Sequence, residues 1–374
     1  MEVRAGTTMQ SSSNTFDLAV IGGGPGGTAA AITAARLGVK VVVLEAGEFP
    51  RQKVCGEFVS AESLDALRDL LRTVGEADRI LRAAPVVDQA RLFLAGRKIN
   101  TPVRPPALSI PRFELDPLLW QAAHRAGAHT MCNCEVREIE GDGPFHLLTT
   151  NGQIHAASVI VAAGRWSRFR PSIPIPDGPK WVGLKAHFRE PQAPRSTDLY
   201  FFDRGYCGVQ PVSEDVINAC AMVRSDRATS VEQVLQIHPD LAERSRNWQP
   251  VSQPVSTAPL IYRTPEPVRG SLVFVGDAAA FIDPFVGDGI SIALRTGCLA
   301  ARELMPAIHE SSALASAVAN YQRTYHEQFA PLIRAASRIR ALLSLPQSVV
   351  TAGLPLLRLP GVLPFIVRKT RQIA

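Results

Sequence analysis

Short, nearly unbroken apolar runs mark the first half of the chain and return near residue 270. Phe16 to Ile21, Val39 to Leu44 and Ser158 to Gly164 have the length and texture of strands buried on both faces of a parallel sheet. Helical stretches stand between them. Small residues follow Gly27 through Arg36, a second helix is predicted near Ala61–Leu71, and Leu115, Leu118, Leu119 and Ala122 space a third that Gly127 closes. Pro102 to Pro106 predicts a connector, and Gly141-Asp-Gly143 and Asn151-Gly152 predict hairpin turns between short strands.

From Pro171 the texture changes. Proline recurs at 171, 174, 176, 179, 191 and 194, and strands are predicted over Trp181–Phe188, Thr197–Phe202, Gly205–Pro211 and Val216–Val223, a separate and largely antiparallel layer. Val231–Trp248 reads as helical, and strand character returns near Ala258–Tyr262. A further buried strand, Gly270 to Val275, runs into Gly276-Asp277, a glycine- and proline-containing turn, and a helix starting near Gly289.

The first strand carries the clearest chemistry. Gly22, Gly24 and Gly27 stand at the G-x-G-x-x-G spacing in Gly22-Gly-Gly-Pro25-Gly26-Gly27, between a strand and a helix. Gly22 allows the tight turn, Gly24 lets the backbone approach a pyrophosphate, Gly27 permits close helix packing, and the helix N-terminus offers free N–H groups. The second strand ends in Glu45-Ala46, where a carboxylate can accept from a ribose 2′-hydroxyl, which favours FAD or NAD over NADP. Downstream, Arg51, Lys53, Cys55 and Glu57 crowd a loop within reach of the reactive end of such a cofactor. Basic neighbours can lower a thiol pKa, so Cys55 is read either as an activated thiol or as a half-buried loop residue. At the second anchor, Asp277 can hold polyol hydroxyls, and the helix beginning at Gly289 can stabilise negative charge.

Composition narrows the class. At 374 residues and 46% hydrophobic, the chain can bury a sizeable core. Residues 1–14 read as a flexible leader without the apolar segment of a secretory signal. No run of 18 apolar residues predicts a membrane span. Six cysteines without a C-x-x-C pair predict reduced thiols in a cytoplasmic protein, and the eight scattered histidines predict no metal site. Of the formal charge of +6, residues 331–374 contribute +7, interleaved with leucine and proline, so the remainder is nearly neutral. That segment reads either as a peripheral contact with an anionic bilayer, at the inner face of the membrane, or as a helical cap with solvated arginines. Aromatic residues are nearly absent from it, which argues against nucleic acid.

Taken together, the opening cradle with Glu45, the Phe49-Pro-Arg-Gln-Lys-Val-Cys-Gly-Glu57 loop, the Arg112…Asp116…Leu119 helix and the Val275-Gly-Asp-Ala…Asp283-Pro284-Phe-Val-Gly287-Asp-Gly289 segment resemble the FAD-dependent geranylgeranyl reductase family. That family lies within the p-hydroxybenzoate-hydroxylase-like flavoproteins. The resemblance implies an α/β fold with a Rossmann-like FAD-binding domain, discontinuous in sequence (15–170 and 265–310), a mostly antiparallel substrate domain (171–264) and a C-terminal helical segment (311–374). It also implies that Gly22, Gly24 and Gly27 meet the pyrophosphate, Glu45 the adenosine ribose and Asp277 the ribityl chain. Arg51 and Arg112 fall near the FAD, and Gly287 to Ile290 beside its ring.

Two chemistries follow from the resemblance. Reduced flavin delivers hydride to a carbon–carbon double bond of an apolar, isoprenoid-like substrate, or it activates oxygen to hydroxylate an aromatic or polyketide-like one. The hydroxylases of the group usually carry Ala-Asp-Gly where this chain has Ala162-Ala163-Gly164, and the Lys53-Val-Cys55-Gly56-Glu57 element looks more like the reductase branch. A halogenase is disfavoured by the lack of a Trp-x-Trp-x-Ile-Pro element, and a flavin-binding protein without turnover is a further reading. With no second G-x-G-x-x-G, electrons are expected from NAD(P)H visiting the flavin or from a reduced carrier protein. Cys55, Glu57 and Tyr206 are the candidate proton donors.

Overall fold

The computed structural model describes residues 14–343 apart from 172, 173, 176 and 283–286. β1 (Thr15–Ile21) leads into α1 (Pro25–Arg36) and back to β2 (Val41–Leu44), which pairs parallel to β1 with Leu18 beside Val41. The chain then leaves this sheet through β3 (Phe58–Val59), α2 (Ala61–Leu71), α3 (Ala77–Ala83), β4 (Val86–Leu94) and β5 (Arg97–Ser109). It returns through α4 (Arg112–Arg125) to β6 (His129–Met131), beside β2. A meander of β7 (Val136–Glu140), β8 (Phe145–Thr149) and β9 (Gly152–Val161) follows, and β9 lies parallel to β1 on its other side.

A second excursion comprises β10 (Trp181–Arg189), β11 (Ser196–Phe202), β12 (Gly205–Pro211) and β13 (Val216–Arg224). Short helices α5 (Val231–Leu235) and α6 (Pro239–Arg244) cover it, followed by β14 (Gln249–Pro250) and β15 (Val255–Thr257). The chain closes with β16 (Val268–Arg269), β17 (Leu272–Phe274), α7 (Gly289–Glu303), α8 (Met305–His309) and α9 (Leu314–Leu343).

The first sheet has the order β16-β17-β9-β1-β2-β6, so its connections diverge between β1 and β9. Such a divergence opens a crevice at the carboxyl ends of the strands, where ligands bind in doubly wound sheets. Its strands read as unbroken apolar runs because both faces are covered: Val41, Val42, Val43 and Leu44 are all buried. The second sheet has the order β14-β10-β13-β12-β11-β4-β5-β3, antiparallel except between β11 and β4.

Four expectations need correction. The antiparallel layer is not confined to residues 171–264, since β3, β4 and β5 belong to it as well. The proline run at 102–106 is part of β5 and not a connector. It is tolerated because the register slips between Val87 and Gln89, so residues 103–106 face a bulge that requires no regular ladder of N–H donors. Strand character near 258–262 ends instead at Thr257, where Pro259 lacks the donor to extend the ladder. The stretch over 231–248 is broken into two helices by Pro239 at the start of α6.

The helices fit closely. A Cβ at Gly297 on α7 would come within 2.1 Å of Gly26 O, so the two glycines set the approach of α7 to α1. On α9, Tyr321, Tyr325 and Phe329 are fully buried one turn apart, and Tyr321 Oη donates to Phe274 O at 2.7 Å. Each such ring stabilises the docked helix by about 2 kcal/mol through burial alone. In the basic segment, Leu332, Ile333 and Ala336 join the core while Arg334 and Arg338 are exposed, as a cap would have them. The rest of that segment, 344–374, and the leader over 1–13 lie outside the described residues. Among the described residues no helix is long and apolar enough to cross a membrane, and no group of three or more His, Cys, Asp or Glu is placed to hold a metal. All six cysteines are free thiols.

Candidate active site

The turn after β1 shows which glycines the protein itself demands. Gly22 has φ +109°, and a Cβ there would sit 2.4 Å from Ala162 O, while a Cβ at Gly27 would fall 1.8 Å from Gly22 O. Gly24 is different. The nearest atom to a Cβ at Gly24 is Arg112 Nη2 at 3.9 Å, so the protein leaves open the space that a pyrophosphate approaching the backbone would fill. No side chain caps α1, and Pro25 at its first turn leaves the following N–H groups directed at that space. The loop therefore fits a dinucleotide.

Glu45, at the end of β2, is buried. Its Oε2 accepts from Gly23 N at 2.8 Å, and its Oε1 accepts from Gly47 N at 2.9 Å and Arg51 Nη1 at 2.6 Å. Burial alone would raise its pKa, but Arg51 and the two N–H groups bring it down to about 2. Oε2 takes one bond from the protein and keeps acceptor capacity for a ribose hydroxyl. Arg51 lies over the Phe49 ring at 4.8 Å, and Ala46 lines the same cavity.

Arg112 opens α4 and forks onto Asp116 one turn later, at 2.6 and 2.7 Å. Burial works against its charge, yet the fork holds the guanidinium above its ordinary value. Its backbone N–H donates to Glu57 Oε1 at 3.0 Å. Glu57 sits at φ +63° with its side chain fully buried, and its carboxylate also meets Lys185 Nζ and, at 2.8 Å, His187 Nε2. Burial opposes ionisation, but His187 and Lys185 hold the carboxyl below the usual range. Lys185 and His187, which hold the Glu57 carboxylate, were missed by the sequence reading. Their signal was available: a lysine and a histidine inside the otherwise apolar strand Trp181–Phe188 need a counter-charge.

Of the two readings of Cys55, the lowering that basic neighbours can give a thiol is not found. Burial pushes the thiol up, and its loop is pinned by Asn218 Nδ2 donating to Cys55 O at 2.9 Å. Tyr206 lies on β12 with its ring 5.9 Å from that of Phe201. Cys55, Glu57 and Tyr206 nevertheless line one cavity.

At the second anchor, Gly276 N donates to Thr296 Oγ1 at 3.0 Å, which ties the turn to α7. Asp277 follows, lining the cavity; burial pushes its carboxyl up, and Arg165 and Arg112 oppose that. Gly287, Gly289 and Ile290 line the cavity too, and α7 begins at Gly289 as expected. Pro284 lies outside the described residues.

These parts bound one continuous cavity of about 1180 Å³. One arm runs along the glycine turn, Glu45 and Arg51, outside the carboxyl ends of β1 and β9. The other is walled by Leu92, Leu199, Phe201, Met222 and Leu260 from the antiparallel sheet. Pockets for a single small molecule usually measure about 300–1,000 Å³. This one has room for a dinucleotide and an apolar molecule against it.

The family described as FAD binding domain matches residues 15–336. The chain is 26% identical over 370 residues to menaquinone reductase of Mycolicibacterium smegmatis, covering 90% of this chain and 87% of that protein. It is 25% identical over 352 residues to digeranylgeranylglycerophospholipid reductase 2 of Methanopyrus kandleri, covering 88% and 87%. Its fold matches the solved structure of the flavin-dependent brominase Bmp2 with a TM-score of 0.78 at 20% identity, over 95% of this chain and 93% of that one.

Proposed function

The chain belongs to the FAD binding domain family and is an FAD-dependent oxidoreductase, and from that premise we propose that it reduces a carbon–carbon double bond in an apolar, isoprenoid- or lipid-like substrate. The observation that carries the reading is the apolar arm of the cavity, Leu92, Leu199, Phe201, Met222 and Leu260, opening directly onto the cofactor arm. Two relatives named as reductases support it, each covering about nine-tenths of this chain.

In this reading the backbone at Gly24 and the N-terminus of α1 receive the pyrophosphate, Glu45 the adenosine ribose and Asp277 the ribityl hydroxyls. Arg51 and Lys53 supply positive charge nearby. Bound and reduced, FAD supplies a hydride equivalent to one alkene carbon. The neighbouring carbon then needs a proton. Cys55, whose thiol burial pushes up, and Tyr206 are the donors on the cavity wall, while Glu57, its carboxyl held down by His187 and Lys185, serves as an anchor. The apolar wall keeps water from the reacting carbon. Electrons come from NAD(P)H visiting the flavin or from a reduced carrier protein.

The reading is tested by reducing the holoprotein anaerobically with dithionite or NADPH and mixing it rapidly with either a polyprenyl substrate or air-saturated buffer. Fast reoxidation by the polyprenyl compound, slow reoxidation by oxygen and a saturated product are expected. Fast reaction with oxygen that yields a hydroxylated product would overturn it in favour of a monooxygenase.

A further inference from the structure

Arg165 brings a charged side chain to the wall of the cavity beside apolar neighbours. Arg165 follows β9 and lines the cavity together with Leu260 and Phe281. Its Nη2 donates to Thr257 Oγ1 at 2.7 Å, and its guanidinium carbon lies 4.8 Å from the centre of the Phe281 ring. These contacts fix the plane of the group. Nε is shielded and has no acceptor, and no bond from Nη1 is found among the described residues.

A guanidinium stays charged at any working pH, so a desolvated one with idle donors is costly unless something accepts from it. Burial pushes the Arg165 group down, with the Asp277 charge opposing. A residue there only to fill space would be apolar, like its neighbours Leu260 and Phe281. No acceptor for Nη1 is found among the described residues, and Arg165 lines the cavity from which one can come.

We propose that Arg165 receives a carbonyl oxygen of the substrate, so that the substrate is an apolar chain bearing a neutral ketone, quinone or ester group. A neutral group fits because Asp277 lines the same cavity, and an anionic headgroup would bring a further acidic group into a poorly screened site. Because Thr257 and Phe281 hold the fork in place beforehand, little side-chain freedom is lost on binding. The inference rests on reading this arm as the site of an apolar substrate.

The test titrates oxidised holoprotein with three probes sharing an isoprenoid chain, namely farnesylacetone, farnesyl phosphate and farnesene, and follows the flavin absorption spectrum. Wild type, Arg165→Met and Arg165→Lys are compared, and the FAD affinity of each apoprotein is measured by fluorescence quenching. Wild type should bind farnesylacetone most tightly. Arg165→Met should weaken farnesylacetone about tenfold, as expected for a lost hydrogen bond to a charged donor. Farnesene binding and FAD affinity should stay unchanged, and Arg165→Lys should restore little, since an ammonium lacks the fork. Tightest binding of farnesyl phosphate would overturn the neutral carbonyl. Unchanged discrimination in Arg165→Met, or a loss confined to FAD affinity, would overturn the role of Arg165 while leaving the apolar-substrate reading intact. Failure of wild type to bind any of the three probes would remove that reading and the proposal together.

Discussion

His187 Nε2 lies 2.8 Å from Glu57 Oε2, joining residues 130 positions apart. The contact ties the loop leaving the cofactor strand β2 to β10 of the antiparallel sheet, and Lys185 completes it on the other carboxylate oxygen. Glu57→Gln would leave the Lys185 ammonium, 1% exposed, without a counter-charge. A loss of about 3–5 kcal/mol is expected, read as a melting temperature lower by roughly 10 °C. Adding Lys185→Met should recover part of that loss. A single variant as stable as wild type would show that the cluster does not hold the loop.

Gly24 and Gly27 should separate cofactor binding from folding. Gly24→Ala adds a methyl into open space, so its melting temperature should match wild type while FAD affinity falls at least about tenfold, because the pyrophosphate loses its approach to the backbone. Gly27→Ala drives a methyl into Gly22 O and should lower the yield of folded protein. Circular dichroism and the ratio of flavin to protein absorbance distinguish the two.

Acid should unfold the protein partly through Glu45. Its folded pKa of about 2 is depressed below the unfolded value, so the stability it contributes is full above the unfolded pKa and is lost as pH falls towards 2. With a depression of roughly two units, that contribution is about 3 kcal/mol. The depressed Glu57 has the same sign. Urea midpoints measured between pH 7 and about pH 3 should fall steeply for wild type and less steeply for Glu45→Gln. Parallel curves would rule out the linkage.

Tyr321→Phe removes only the hydroxyl that reaches Phe274 O, leaving a buried carbonyl short of a partner. A loss of about 1–2 kcal/mol is expected from denaturant titration. A much larger loss would mean that the variant disturbs the packing of α9 on β17 and not just one bond.

The parallel sheet was legible because its strands are buried on both faces and so write themselves as apolar runs, and because the Gly22–Gly27 spacing has few structural uses. The cradle, Glu45, Asp277 and the start of α7 followed from those signals. The antiparallel sheet was legible only in part. β4 and β5 mix half-buried and exposed positions, and their prolines imitate a connector, so nothing local tied them to β11, more than a hundred residues later. Residues that act through distant contacts were harder still. Lys185 and His187 gain their meaning from Glu57, and Arg165 gains its own from the Phe281 ring and from having too few acceptors. Cys55 stayed open for the same reason: basic sequence neighbours can activate a thiol, but burial, which no local pattern shows, governs it.

The single parallel contact between β11 and β4 bears on how the chain reaches its native state. Neither sheet is encoded by a continuous stretch: the first needs residues 15–21, 152–161 and 272–274, and the second needs strands from both 58–109 and 181–257. On the ribosome, then, the cofactor crevice cannot close until β17 has emerged, and by then the whole antiparallel sheet has been synthesised. Such long sequence separations slow folding and leave unpaired edges exposed in the meantime. No cut in the chain would release half of this protein as an independently folding unit, and a nascent chain stalled before β17 would be a client for chaperones.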